Sequence, residues 1–164
     1  MPENDAIYQE RLASLRNQIE NLALDGLIIP RTDEFQGEFL APYAERLAWL
    51  TGFTGSAGAA VILSDKAVVM SDGRYNIQLT QQVNSDLYQT ADSTKTSVGH
   101  WLAGQGDEGL RIGYDAWLHT PSQIEKINED LVGTNIALVP VAENPIDAVW
   151  HDQPAKPLGE VIIF

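Results

Sequence analysis

The hydrophobic positions of the chain change several times from helical spacing to short apolar runs, which is typical of an α/β fold. The first stretch predicts a helix, because its apolar residues recur at steps of four and three: Tyr8, Leu12, Leu15, Ile19 and Leu22. Asn4 or Asp5 is its candidate N-cap, and Gly26 its candidate C-terminal stop. The wholly apolar residues 27–30 predict a strand buried on both faces of a sheet, ended by Pro30.

Two apolar runs separated by three residues predict a β-hairpin. Residues 59–63 and 67–71 are strand-like, and only Ser64, Asp65 and Lys66 connect them. So short a connection cannot hold a parallel crossover, and the two strands are therefore expected to be antiparallel. The sheet is then mixed rather than purely parallel.

Further helices and strands alternate along the rest of the chain. Helical spacing, prolines and a capping box predict helices over residues 42–49, 75–83, 98–102, 120–131 and 144–150. Strands are predicted over residues 87–90, 111–114 and 136–140. We therefore expect an α/β fold with a single mixed β-sheet of about six strands flanked by helices.

Charge and composition exclude several classes of partner. The chain has 164 residues, enough for one domain, with 10 Lys and Arg against 23 Asp and Glu and a net charge of −13. Nucleic acid and anionic membrane surfaces would repel it. It has no cysteine and no run approaching the ~20 apolar residues of a membrane span. We expect a cytoplasmic protein without disulfides, with no nucleic-acid or membrane partner.

Charged residues and glycines are concentrated in residues 31–75. The letters RTDE follow the first strand, ERLAWLTGFTGSAG covers residues 45–58, and DGRY covers residues 72–75. Their order and spacing resemble the N-terminal domain of Xaa-Pro aminopeptidases (aminopeptidase P, peptidase family M24), which is related to that of creatinase and prolidase. A weaker resemblance extends through residues 114–115 and 144–150, up to Pro157.

The resemblance implies a function for a longer enzyme and not for this chain alone. Family members release an N-terminal residue that precedes proline, and two divalent metal ions, Mn or Zn, lie in a C-terminal domain that supplies two Asp, one His and two Glu. Nothing in this chain matches that domain, so no catalytic residue, metal or cofactor is expected here. The implied partners are that catalytic domain, peptides with proline at the second position, and a second subunit in a homodimer.

Two alternatives remain open at this point. The first alternative is that the chain is the same kind of domain from a prolidase or a creatinase-like hydrolase. The second alternative is that the chain is a free-standing binding or interaction module. An enzyme of the aminopeptidase type should have residues 1–153 as its creatinase-like N-terminal domain. Residues 154–164, which contain Pro154 and Pro157 and end in an apolar run, are then a linker and the start of a truncated following domain.

Four charged residues are candidates for a cleft or interface: Arg31, Asp33, Glu34 and Arg46. The first three follow a strand at the end where open α/β sheets often place binding groups. The resemblance adds that family N-terminal domains lie over or beside the active-site cleft. The structural interpretation is that these residues fix turns through ion pairs and hydrogen bonds.

Six further residues are expected to be structural: Gly52, Gly55, Gly58, Asp72, Gly73 and Arg74. The glycine spacing fits neither of the nucleotide-binding patterns G-x-G-x-x-G and G-x-x-x-x-G-K-[ST]. This mismatch favours a tight, closely packed turn over a phosphate-binding loop. The three histidines show no metal-ligand spacing, which favours surface or capping positions. Trp49 and Trp101 fit apolar helix faces, whereas burial and exposure stay open for Trp117 and Trp150.

Overall fold

A mixed six-stranded sheet forms the centre of the molecule. The computed structural model describes residues 2–106 and 108–163, with side chains from residue 5 onward. The strands are β1 (Gly26–Pro30), β2 (Ala59–Leu63), β3 (Ala67–Ser71), β4 (Gln89–Asp92), β5 (Arg111–Tyr114) and β6 (Ala137–Pro140). The helices are α1 (Pro2–Asn21), α2 (Arg46–Thr51), α3 (Asn76–Gln82), α4 (Val98–Ala103), α5 (Pro121–Asp130) and α6 (Pro145–Val149).

The strand order is β4-β3-β2-β1-β5-β6, and β2 runs against its two neighbours while the other pairings are parallel. The predicted hairpin is confirmed, with Val61 opposite Val68. Five described strands therefore end at one edge of the sheet, where β2 begins. We call this the carboxyl edge.

Helices cover both faces of the sheet, as the apolar strands require. Leu27 and Ile29 belong to the core beneath α1, α2, α3 and α6, whereas Ile28 belongs to the core beneath α4 and α5. This alternation follows from the two-residue period of a strand. The expected fold class, a single mixed sheet flanked by helices, is confirmed. None of the described helices has both the length and the apolar character needed to span a membrane.

The predicted ends of the first helix are wrong. The helix already begins at Pro2, before Asn4 and Asp5. It ends in a Schellman motif, in which Ala23 has a φ of 55° and the Leu24 N–H donates to the Ile19 carbonyl at 3.1 Å. Gly26 is instead the first residue of β1, and a Cβ there would lie 2.6 Å from the Ile62 carbonyl oxygen.

Other element predictions hold with shifted boundaries. The capping box of α5 is present, with Thr120 as N-cap and Gln123 at the third helical position. The predicted helix from Pro42 is a 3-10 turn over Pro42–Ala44 followed by α2. β4 begins at Gln89 rather than Leu87, because the backbone N–H groups of Leu87 and Tyr88 donate to the Asn84 carbonyl in a turn, at 3.1 and 3.0 Å.

Candidate functional site

The carboxyl edge gathers most of the residues that the sequence singled out. Residues 31–34 follow β1, residues 52–58 precede β2, and Asp72 and Arg74 follow β3. We call residues 33–37 the edge turn and residues 52–58 the glycine loop. Arg46 begins α2, and its side chain reaches Asp147 in α6.

Arg31 ties the edge turn to the glycine loop. Its Nη1 donates to the Glu38 carbonyl at 2.7 Å and to the Ser56 carbonyl at 3.1 Å, and its Nη2 lies 3.7 Å from a Glu45 carboxylate oxygen. The side chain is 10% exposed. Its Nε is buried without a hydrogen-bond partner among the described residues. Arg31 therefore links residues 38, 45 and 56 through its guanidinium.

The buried Asp33 carboxylate fixes the edge turn. Its Oδ1 accepts hydrogen bonds from the backbone N–H of Phe35 at 3.0 Å and of Gly37 at 2.9 Å. Gln36 between them has a φ of 55°, a left-handed conformation that is uncommon for residues other than glycine. The turn leaves the Phe35 side chain 79% exposed. Asp33 therefore holds the edge turn through hydrogen bonds within the domain.

Glu34 accepts two hydrogen bonds on one carboxylate oxygen. Tyr43 Oη donates to Oε1 at 2.8 Å, and Lys156 Nζ donates at 3.0 Å. Burial acts to raise the pKa of Glu34. Hydrogen bonds from its own backbone N–H, from Lys156 and from Tyr43 outweigh burial and hold that pKa below its ordinary value. Glu34 is therefore a carboxylate near neutral pH and carries the charge that Lys156 neutralises.

Arg46 forms a bidentate pair with Asp147, which lies 101 positions away in the sequence. Nε donates to Oδ1 at 2.7 Å and Nη2 donates to Oδ2 at 3.0 Å. Burial acts to lower the pKa of Arg46, but the hydrogen bonds and charge of Asp147 raise it overall. Nη1 is buried without a hydrogen-bond partner in the described part of the chain. Gln153 also binds this cluster, donating 2.9 Å bonds to Asp147 Oδ1 and to the Tyr43 carbonyl.

The glycine loop is held by close packing and not by a ligand-shaped cradle. Gly52 ends α2 with a φ of 80°. A Cβ on Gly55 would lie 2.3 Å from the Phe53 ring, and one on Gly58 would lie 2.8 Å from the Met70 carbonyl oxygen. At each of these three glycines a side chain would therefore be strained or would meet a close neighbour.

The turn after β3 is closed by Asp72 and Arg74. Asp72 accepts from the Arg74 backbone N–H at 3.0 Å and from its Nε and Nη2 at 2.9 and 2.8 Å. The hydrogen bond with the Arg74 side chain lowers the pKa of Asp72. Gly73 differs from the loop glycines, because a Cβ there would meet no atom within 4 Å. Asp72 and Arg74 therefore hold this turn together, whereas nothing in the geometry requires glycine at position 73.

Ser56 and Tyr75 connect this turn to the glycine loop through a hydrogen bond between their hydroxyls. That hydrogen bond lowers the pKa of Tyr75. The Arg74 guanidinium lies 5.2 Å from the centroid of the Tyr75 ring. A continuous set of contacts therefore runs from Arg31 through Ser56 to Arg74.

Two crevices open at the carboxyl edge, one on each side of the edge turn. The inner crevice has a volume of about 380 Å³, and its polar lining includes Arg31, Gln36, Ser56, His119 and Gln123. The aromatic crevice has a volume of about 450 Å³, and its lining includes Glu34, Phe35, Arg46, Asp115, Trp117 and Lys156.

His119 differs from the expected surface or capping histidine. It is partly buried beside the inner crevice, and its Nδ1 lies 2.9 Å from the Asp115 carbonyl oxygen, which can only accept, so Nδ1 carries the proton. Its ring contacts Tyr114 edge-on at 5.7 Å. Burial lowers the pKa of His119. The partial burial of His119 could not be predicted from the sequence, because this histidine has no partner at motif spacing.

Trp117 and Trp150, whose burial the sequence left undecided, differ strongly in exposure. Trp150 is 8% exposed and stacks on Trp49 at 5.3 Å between ring centroids. Trp117 is 78% exposed and lines the aromatic crevice. Its exposure makes it available for contact with another molecule.

No group of three or more His, Cys, Asp and Glu side chains within residues 5–106 and 108–163 has the arrangement needed to hold a metal ion. The donor set of two Asp, one His and two Glu does not assemble among them.

The chain is similar to Xaa-Pro aminopeptidases over most of its own length. Xaa-Pro aminopeptidase 2 of Rattus norvegicus is 33% identical over 90% of this chain and 23% of the relative. Aminopeptidase P2 of Arabidopsis thaliana is 35% identical over 92% of this chain and 22% of the relative. The chain thus spans about a quarter of the length of these curated relatives.

Solved structures give the same result. An X-prolyl aminopeptidase from Caenorhabditis elegans, described as a cytosolic enzyme with a di-nuclear active site, superposes with a TM-score of 0.82 and 29% identity over 90% of this chain and 26% of its own. The N-terminal domain of the cytoplasmic peptidase PepQ from Mycobacterium tuberculosis superposes with a TM-score of 0.66 and 29% identity, over 85% of this chain and 98% of its own. Residues 11–149 match the creatinase/prolidase N-terminal domain. The chain therefore belongs to the creatinase/prolidase N-terminal domain family.

Proposed function

We propose that this chain is the non-catalytic N-terminal domain of a cytoplasmic, metal-dependent Xaa-Pro aminopeptidase, an enzyme that releases an N-terminal residue preceding proline. The observation that carries the proposal is the coverage of the relatives. Xaa-Pro aminopeptidase 2 of Rattus norvegicus aligns with 90% of this chain, yet the alignment covers only 23% of the length of that relative. The remaining three-quarters is where the chemistry would lie.

The reaction itself would belong to the rest of the enzyme. Two divalent ions, manganese or zinc, would activate water there for attack on the peptide bond. The described residues of this chain form no metal-holding group. Their contribution would be to shape access to the cleft and to contact the catalytic domain.

The carboxyl edge is the proposed surface for that contribution. Arg31, Asp33 and Arg46 are largely buried and bonded within the domain, so they would act by positioning the segments around them. The edge turn presents Phe35, and the loop after β5 presents Trp117, at 79% and 78% exposure. These aromatic side chains, rather than the buried charges, would contact the catalytic domain or the substrate peptide.

We also propose that the folded domain comprises residues 1–153 and that residues 154–164 are a linker and the start of a following domain. Residues 153–163 contain neither helix nor strand, which supports this boundary. The exposure of Leu158 and Val161 supports contact with a further part of a longer protein. A homodimer of the complete enzyme would be formed outside this chain or along its carboxyl edge.

An origin in a prolidase or creatinase-like hydrolase is the second candidate, since the family description includes both. The curated relatives favour the first candidate, because Xaa-Pro aminopeptidase 2 of Rattus norvegicus and aminopeptidase P2 of Arabidopsis thaliana align with nearly the whole chain at 33% and 35% identity.

Truncation of the complete enzyme tests the proposal. An enzyme lacking residues 1–150 should keep its bound metal but lose its selectivity for short peptides or its oligomeric state, because the walls supplied by this domain are gone. The measurements are metal content, native mass and the ratio of kcat/KM for a short and a long Xaa-Pro peptide. A soluble truncated enzyme with unchanged mass and ratio would contradict the proposed role.

A further inference from the structure

The aromatic crevice already holds an ammonium group, that of the chain's own Lys156. Its Nζ donates to Glu34 Oε1 at 3.0 Å and lies 5.3 Å from the centroid of the Tyr43 ring. A carboxylate beside an aromatic face is the arrangement that binds alkylammonium groups. The Lys156 side chain is nevertheless 66% exposed, so it is held at the mouth rather than enclosed.

The crevice retains negative charge that this lysine does not neutralise. Glu34, Asp115 and Asp147 line it together with two cations, Arg46 and Lys156. Arg46 is paired with Asp147 and Lys156 with Glu34. Asp115 accepts hydrogen bonds from the Trp117 backbone N–H at 2.9 Å and from Asn144 at 3.1 Å, both neutral donors. No salt bridge of Asp115 occurs within the described ranges.

The walls fit the aliphatic part of a basic side chain. Phe35 and Trp117 both line the crevice and are 79% and 78% exposed. Aromatic faces can cover the methylene groups of a lysine while its ammonium reaches a carboxylate.

We propose that the aromatic crevice is a binding site for a lysine residue of a polypeptide, and that Lys156 is an internal competitor for it. The incoming ammonium replaces that of Lys156 on Glu34, with Asp115 adding negative charge, while Phe35 and Trp117 cover the methylene groups. Displacement of Lys156 releases residues 154–156, which follow the hydrogen bonds of Gln153 to Asp147 and Tyr43. Occupancy of the crevice is thereby linked to the direction in which the chain leaves the domain.

Binding of two matched small probes to the 164-residue chain tests the inference. The probes are N-acetyl-lysine-N-methylamide and N-acetyl-norleucine-N-methylamide, which has a similar aliphatic chain without the ammonium. The readout is the NMR shift of the Trp117 indole N–H, assigned with Trp117→Phe. We expect the lysine probe to shift this signal and to bind about fivefold more tightly than the norleucine probe.

Two variants separate competition from simple charge attraction. Lys156→Ala should tighten binding of the lysine probe, because the internal competitor is removed. Adding Glu34→Gln to Lys156→Ala should weaken it again, while the amide oxygen can still accept from Tyr43. Equal binding of the two probes, an unchanged affinity of Lys156→Ala, or no shift at Trp117 would overturn the inference. The assay needs neither metal nor peptidase activity, so such a result would leave the proposed function standing.

Discussion

At the residue scale, the pair formed by Arg46 and Asp147 joins two helices that are far apart in sequence. The Arg46 side chain is 8% exposed and that of Asp147 is 37% exposed. Removing the carboxylate leaves a buried guanidinium without its counter-charge, whereas the pair itself is held in place by two short hydrogen bonds.

Asp147→Ala should therefore lower the free energy of unfolding by about 2–3 kcal/mol, somewhat below the range for a fully buried pair because Asp147 is partly exposed. The measurement is urea denaturation followed by tryptophan fluorescence. Asp72→Ala is the matched control, because it breaks the pair with Arg74, whose side chain is 68% exposed. Equal losses in the two variants would contradict the importance given to burial.

Gly58 and Gly73 provide a second matched comparison. Gly58→Ala should lower the free energy of unfolding by about 1–3 kcal/mol, because the new Cβ would lie 2.8 Å from the Met70 carbonyl oxygen. Gly73→Ala should be close to neutral, since its Cβ would meet nothing within 4 Å. The same denaturation midpoint for both variants would contradict the predicted clash at Gly58.

His119 predicts a pH dependence of stability. Burial lowers the pKa of His119 from its ordinary value of 6.5. The unfolded chain therefore binds a proton more readily than the folded chain, so stability present above pH about 6.5 is lost as the pH falls below it. His119→Gln should lose less stability than the unsubstituted chain between pH about 7 and pH about 5. His151→Gln, at an exposed position, is the control and should behave like the unsubstituted chain.

At the element scale, α5 shows how local chemistry sets a boundary. The Thr120 hydroxyl accepts from the Gln123 backbone N–H, and the Gln123 side chain accepts from the Thr120 backbone N–H. Thr120→Ala should cost about 1 kcal/mol of stability. Glu125→Ala, at an exposed position of the same helix, should cost much less. Indistinguishable melting curves for the two variants would argue against the cap.

The same scale shows which elements the sequence could predict. The hairpin of β2 and β3 and the helix α5 were predicted correctly, because each is encoded within a few neighbouring residues by a short connection or a capping box. The end of α1 was not predicted correctly, because Ala23 occupies the left-handed C-terminal position at which glycine is usual.

Long-range contacts explain the part of the site that the sequence did not show. Arg46 was identified as a candidate, but Asp147 lies 101 positions away. The contact between Lys156 and Glu34 spans 122 positions. Spacing rules cover turns and single elements, whereas these partners are set by the packing of whole elements on the sheet.

At the scale of the whole molecule, the fold concentrates its unusual features at one edge of the sheet. The edge turn, the glycine loop and the Asp72 turn all lie where β1 and β3 end and β2 begins. Their polar residues bond mainly to one another, which holds the backbone in place and leaves Phe35 and Trp117 exposed. This arrangement fits a domain that presents an aromatic surface to another molecule.

A peptidase assay of the 164-residue chain tests that claim most directly. The purified chain is mixed with a peptide that has proline at its second position, with manganese, zinc or cobalt added and, in parallel, with a chelator. We expect no hydrolysis under any of these conditions, because the described residues form no metal-holding group. Metal-dependent release of the first residue that the chelator abolishes would contradict it.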